Sequence, residues 1–174
     1  MRTPSNKEEI FDIVNDNDEV IGSAERRDVH AKKLTHRSVH AIFFNWSRNI
    51  LLQKRALGKD TYPGIWTTSC SGHVDSGESY EDALLRECRE ELGVSLKISD
   101  FNYVGKIPAC EETGFEFTQV YTITNTGPFM FPHTEVQSLD WMPLDMFEIQ
   151  VKIMPHMFTP SLRKVYDFYK NVQK

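Results

Sequence analysis

Three glutamates, Glu87, Glu90 and Glu91, fall at i, i+3 and i+4 of a segment with helical periodicity. At about 100° per residue they share an arc roughly 100° wide. Three like charges on one turn repel and destabilise a helix unless something cationic lies among them. A hard divalent ion with oxygen ligands meets that need, and Mg²⁺ typically bridges carboxylates and substrate phosphates. The same residues also read as a solvated acidic face relieved by Arg86 and Arg89. Taken alone, the three glutamates favour that plainer reading.

The element that must position them is a helix over Tyr80–Leu92. Ser79 suits its N-cap, Gly93 suits its C-terminal stop, and Leu84, Leu85, Cys88 and Leu92 form the neighbouring arc that faces a core. Runs at 9–14 and 19–24, divided by Asn15-Asp16-Asn17-Asp18, read as an N-terminal hairpin. Runs at 39–45 and 49–55 read as a second hairpin, and 66–72 as one further strand. Strands follow at 101–107, 115–124 and 138–142, the second of them rich in β-branched and aromatic residues. A short helix is expected at 143–149. Another opens at Thr159-Pro160 and runs to about 172, with Pro at the first helical position. Strands interleaved with few helices indicate a mixed α/β sandwich.

The bulk properties fit one domain over 1–174, with 1–8 as a flexible extension. The 174 residues are 40% hydrophobic, 26% charged and 11% aromatic, which excludes a disordered chain, a collagen-like repeat and a disulfide scaffold. Twenty Lys and Arg against 25 Asp and Glu give a net charge of −5, the wrong sign for a nucleic-acid coat. Three cysteines (Cys70, Cys88 and Cys110), with no CxxC pair and a polar N-terminus, indicate a reduced, cytoplasmic protein. No apolar run approaches the ~20 residues of a membrane span. A homodimer is compatible with the sequence.

Residues 72–94, GHVDSGESYEDALLRECREELGV, reverse the reading of the glutamates. Gly72, five residues, Glu78, seven residues, Arg86-Glu87-Cys88, one residue, Glu90-Glu91, one residue and Gly93-Val94 resemble the signature of the Nudix hydrolase superfamily. Cys88 stands where an aliphatic residue is usual, a mild departure because buried Cys behaves as a small hydrophobe. The resemblance implies a Nudix-type α/β/α sandwich with a mixed sheet, a loop–helix–loop box and a C-terminal helix. It implies that Glu87, Glu90 and Glu91 hold Mg²⁺ or Mn²⁺, that Glu78 and Arg86 brace the loop against the helix, and that Gly72 and Gly93 supply tight backbone geometry. The implied reaction is attack of water on a diphosphate linkage.

Residues 36–73 are similar to the branch that contains type 1 isopentenyl-diphosphate isomerase and its hydrolase relatives, through His36-Arg37, Leu51-Leu52-Gln53-Lys54-Arg55 and Pro63-Gly64-Ile65-Trp66. In those isomerases an essential Cys directly precedes the Gly-His pair, and here that position is Ser71. Cys70 is the neighbour, and strand parity points it away from a site that Ser71 faces. Serine is too weak an acid to replace a thiol without an activating base. His73 and His36, and with less support His30, match the branch's metal-binding histidines. Glu116 matches its later catalytic carboxylate, while the partner acid two residues earlier is Gly114. His40, His133 and His156 match nothing and are read as structural.

Glu90, Glu91 and Glu116 are thus the candidate catalytic carboxylates, with Glu116 a general base from its strand. Arg55 and Lys54 are candidates for phosphate, and Trp66 for stacking or enclosure, although each also reads as packing. The expected activity is hydrolysis of a small-molecule diphosphate, such as a nucleoside diphosphate linked to another group. Two alternatives stand beside it: an isomerase-like enzyme with a displaced thiol, and a catalytically silent nucleotide-binding module.

Overall fold

The computed structural model describes residues 9–174. The expected flexible extension at 1–8 lies outside the described residues. Strands β1 (Ile10–Val14) and β2 (Val20–Glu25) pair antiparallel as a small separate sheet. Asn15 closes their turn, its Oδ1 accepting the backbone N–H groups of Asn17 and Glu19. A helix absent from the sequence expectation follows at once: α1, Arg26–Lys32, ending at Lys33 in the left-handed conformation. Only Val29 of its seven residues is buried, so it carries no apolar periodicity to read.

The main sheet has seven strands: β3 (His36–Phe44), β4 (Ile50–Arg55), β5 (Trp66–Thr67), β6 (Cys70–His73), β7 (Asn102–Ile107), β8 (Glu116–Thr124) and β9 (Val136–Met142). Its backbone order is β5-β4-β3-β8-β7, with β6 added to β3 and β9 to β4. The β3–β8 pair is parallel and the others are antiparallel, so the sheet is mixed.

Two strand expectations are corrected. The β3–β4 hairpin pairs only at Phe44↔Ile50, after which the strands splay. The expected single strand at 66–72 is broken at Thr68 and Ser69 into β5 and β6, which join different neighbours. Ser69 causes both changes. Its hydroxyl accepts the N–H of Phe43 at 2.8 Å and donates to the carbonyl of Leu51 at 2.6 Å. A side chain thereby satisfies the backbone groups that a closed ladder would have paired.

Alternation along β3 builds two cores. Val39, Ala41 and Phe43 pack with Cys70, Leu84, Cys88 and Leu92 beneath α2 (Tyr80–Leu92). Ile42 and Phe44 pack on the opposite face with Phe147, Leu162, Val165 and Tyr169 from α3 (Leu144–Ile153) and α4 (Pro160–Val172). The layers are α/β/α. Thr159 caps α4 by accepting the N–H of Leu162 at 3.2 Å, and Ser79 caps α2 by accepting that of Asp82 at 3.1 Å.

Candidate metal and catalytic site

Helix α2 is anchored to the loop before it by one side chain. Arg86 places its Nε and Nη2 on the two oxygens of Glu78, each at 2.9 Å, and Nη2 also donates to the His73 carbonyl at 2.9 Å. Its Nη1 reaches Glu87 at 2.6 Å and Glu90 at 3.4 Å. Burial works against the guanidinium charge, but hydrogen bonds and the charges of Glu78 and Glu87 hold it firmly protonated. Asp12 of β1 fixes the same loop from outside, accepting the Ser76 hydroxyl at 2.6 Å and the Gly77 N–H at 3.1 Å.

Glu87 lies over Gly72, where a Cβ would come within 2.1 Å of its carboxyl group. Only a residue without a side chain allows that approach. Glu91 is buried, its Oε2 accepting the Ser71 N–H at 3.1 Å and the Gln53 amide at 3.0 Å. Burial, followed by the charge of Glu91, pushes Glu87 well above the usual carboxylate range. Burial also raises Glu91 despite those hydrogen bonds. Glu90 is the exposed member, its side chain 47% accessible. An all-carboxylate set with one buried and one largely shielded member, both resisting ionisation, fits a hard divalent cation such as Mg²⁺ or Mn²⁺.

Among the described residues, however, the one group whose donor atoms all lie within 4.8 Å of one another is His30, His36, His73 and Glu116. They come from α1, β3, β6 and β8. The Nδ1 of His36 lies 2.8 Å from the Leu34 carbonyl and must donate there, which in the neutral ring leaves a lone pair on Nε2. That Nε2 faces Glu116 Oε1 at 3.4 Å without hydrogen-bonding it, and His30 Nε2 is also buried without a partner. His73 Nε2 lies 3.2 Å from the same Glu116 oxygen. Burial raises the Glu116 carboxyl, but the neighbouring His73 and His36 rings outweigh it and hold the group well below its usual range. Burial, then the charges of His73 and His36, bring His30 down to about 4. Orphaned ring nitrogens around one carboxylate, with a second ring nitrogen fixed on a carbonyl, are what a cation ligated by imidazoles requires. Three nitrogens and one oxygen suit Mn²⁺ or Zn²⁺ better than Mg²⁺.

The remaining candidates lie in two places. Lys54 sits 5.5 Å over the Trp66 ring, the two being paired across β4 and β5, and Trp66 packs against the α4-side core. Arg55 donates to the carbonyl and hydroxyl of Thr61, and burial lowers its pKa against the opposing charge of Glu91. On β6 the register is regular, with Ser71 opposite His40 and Cys70 opposite Ala41. Cys70 is 1% exposed within the α2-side core, and burial followed by its contact with Cys88 pushes its thiol well up.

The NUDIX domain family model matches residues 34–168. The chain belongs to the Nudix family. Isopentenyl-diphosphate Delta-isomerase of Enterobacter sp. (strain 638) is 32% identical over 157 residues, covering 85% of this chain and 84% of that protein. Its counterpart in Leifsonia xyli is 35% identical over 153 residues, covering 82% and 80%. The crystal structure of DR0079 from Deinococcus radiodurans superposes with a TM-score of 0.74 at 26% identity, covering 84% of this chain and 90% of that one. The α/β/α architecture is therefore the Nudix fold.

Several residues that shape this Nudix site left no readable signal. Phe11 stacks on His36 at 5.6 Å and on His73 at 4.5 Å between ring centroids, yet reads only as one apolar residue of a hairpin. Asp12 and Gln53 act 65 and 38 positions from their partners, beyond any local pattern. No helix is long and apolar enough to cross a membrane among the described residues.

Proposed function

We propose that this Nudix chain is a divalent-metal-dependent hydrolase of the diphosphate linkage in a small molecule, such as a nucleoside diphosphate joined to another group. The observation that carries this reading is the pair of shielded carboxylates, Glu87 packed on Gly72 and buried Glu91, whose ionisation the fold disfavours. A binding module has no use for such a pair. Glu87, Glu90 and Glu91 would hold Mg²⁺ or Mn²⁺, which supplies charge neutralisation on the diphosphate and acidifies water. Water adds to one phosphorus, the bridging P–O bond breaks, and the proton passes to a carboxylate in contact with solvent, a role that suits Glu90. Arg86 keeps Glu87 oriented, and Arg55 would exchange its bonds to Thr61 for phosphate oxygens. Glu116, held ionised beside His36 and His73, is a weak base and suits a ligand of a second cation with His30, His36 and His73. Three free cysteines fit a cytoplasmic setting.

The isomerase-like reading draws on the histidine–Glu116 cluster and on the relatives named as isomerases. Against it, the residue beside His73 on the same face is Ser71, and the Cys70 thiol is sealed under α2. A product screen decides between the two. Nucleotide sugars, dinucleoside polyphosphates and isoprenoid diphosphates are incubated with Mg²⁺ and then Mn²⁺, and isopentenyl diphosphate is followed for deuterium uptake in D₂O. Metal-dependent phosphate products without deuterium uptake are expected. Deuterium uptake with no hydrolysis of any substrate would overturn the hydrolase reading.

A further inference from the structure

The row of β3 that begins with His36 continues through Ser38 to His40, and β6 presents Ser71 and His73 on the same face, opposite His40 and Ser38. Ser38 spends its hydroxyl on Thr118 at 2.8 Å, whereas His40 and Ser71 remain incompletely paired. His40 Nδ1 lies 2.7 Å from the Thr68 hydroxyl, which also approaches the Cys70 carbonyl at 3.4 Å. His40 Nε2 has no partner among the described residues, yet it is not among the fully sealed orphans, so it keeps a small contact with solvent. The ring is 5% exposed, and burial, helped by the charges of His73 and Arg55 and opposed by that of Glu116, disfavours its protonation.

Thr68 has a single hydroxyl proton. Given to the Cys70 carbonyl, it leaves His40 Nε2 a bare acceptor; given to Nδ1, it makes Nε2 a donor. A hydroxyl group satisfies either tautomer, and a hydrocarbon satisfies neither. Ser71 Oγ, also without a hydrogen bond among the described residues, has the same requirement on the opposite strand.

We propose that His40 is a specificity-determining residue: its Nε2, with Ser71 Oγ beside it, pairs with a hydroxyl of the group joined to the diphosphate, selecting a polyhydroxylated group such as a hexose or ribose over an isoprenoid hydrocarbon. This rests on the hydrolase reading above. Covering two desolvated polar atoms with hydrocarbon leaves both unpaired, and sites built to bind a hydroxyl reject analogues lacking it by up to about 10⁴-fold.

The test compares kcat/KM of the full chain, with Mn²⁺, for a nucleoside diphosphate hexose and for geranyl diphosphate. The wild type is expected to favour the hexose substrate by roughly 10² or more. His40→Phe should erase most of that ratio by losing the hexose substrate alone, and His40→Gln, whose amide can donate or accept, should restore it. A wild-type preference for geranyl diphosphate overturns the proposal whether or not any variant folds. An equal loss on both substrates in His40→Phe overturns it too, because that is the mark of a purely structural role. Cleavage of neither substrate while another diphosphate of the screen is hydrolysed overturns the proposal and leaves the hydrolase reading standing, whereas hydrolysis of no diphosphate at all fells both.

Discussion

A methyl group on Gly72 would stand 2.1 Å from the carboxyl carbon of Glu87, so strand β6 and helix α2 are in contact without intervening atoms. Gly72→Ala must therefore push Glu87 away from its place beside Glu91. Displacements of about 1 Å in such sites cost roughly 10² in rate. The expected result is a loss of that order in kcat at saturating Mg²⁺, with the far-ultraviolet circular dichroism unchanged.

Glu87→Gln and Glu91→Gln should each abolish turnover at limiting Mg²⁺ while leaving the chain folded. Each removes a negative ligand at almost constant volume. Because the fold resists the ionised form of both residues, each variant should also melt above the wild type in EDTA at pH 8. The sign follows from the folded-state pKa being raised: the native carboxyl retains a proton that the unfolded one has released, so metal-free stability falls as pH rises above about 4.5. Thermal melts with and without Mg²⁺ read both effects. Near wild-type activity in both variants would remove the box from the mechanism.

Arg86→Lys keeps the charge and loses the fork. Lysine cannot reach both oxygens of Glu78, the His73 carbonyl and Glu87 at once. Breaking a buried ion pair costs about 3–5 kcal/mol, and retention of one charge should leave a part of that loss. Urea unfolding is expected to show a lower midpoint at unchanged slope.

Acid should destabilise the protein through His40. Its folded pKa lies at about 4 against 6.5 unfolded, with burial the main cause. The unfolded state therefore takes up a proton first as pH falls, and stability declines from about pH 6.5 to pH 4, by up to about 3 kcal/mol for this residue. His30, also brought down to about 4, acts in the same direction. Unfolding free energies at pH 7 and pH 4.5 should differ less in His40→Phe than in the wild type.

Cys70→Ala should keep hydrolysis within a few-fold, because the thiol packs beneath α2 with Cys88 and faces away from Ser71 and His73. The buried thiol, pushed well above its usual pKa, should also resist alkylation in the folded protein, while half-buried Cys110 reacts. Mass spectrometry after a timed iodoacetamide pulse distinguishes the two.

The sequence by itself determined whatever depends on short spacing: α2 with its cap at Ser79 and stop at Gly93, α4 behind Pro160, the run of box residues, and the opposite facing of Cys70 and Ser71. Periodicity and local capping set these, and both are visible within a few residues of chain. Tertiary structure alone decided the break at Thr68–Ser69, since only the folded sheet brings the Phe43 N–H and Leu51 carbonyl to the Ser69 hydroxyl. It also decided that α1, seven residues with one buried side chain, delivers His30 to His36, His73 and Glu116. The same holds for His40, which looks like any strand histidine until β6 lies beside it with Ser71 at the facing position. Contacts that join separate strands in this way are fixed by how the strands are ordered in the sheet, and no local pattern of side chains encodes that order.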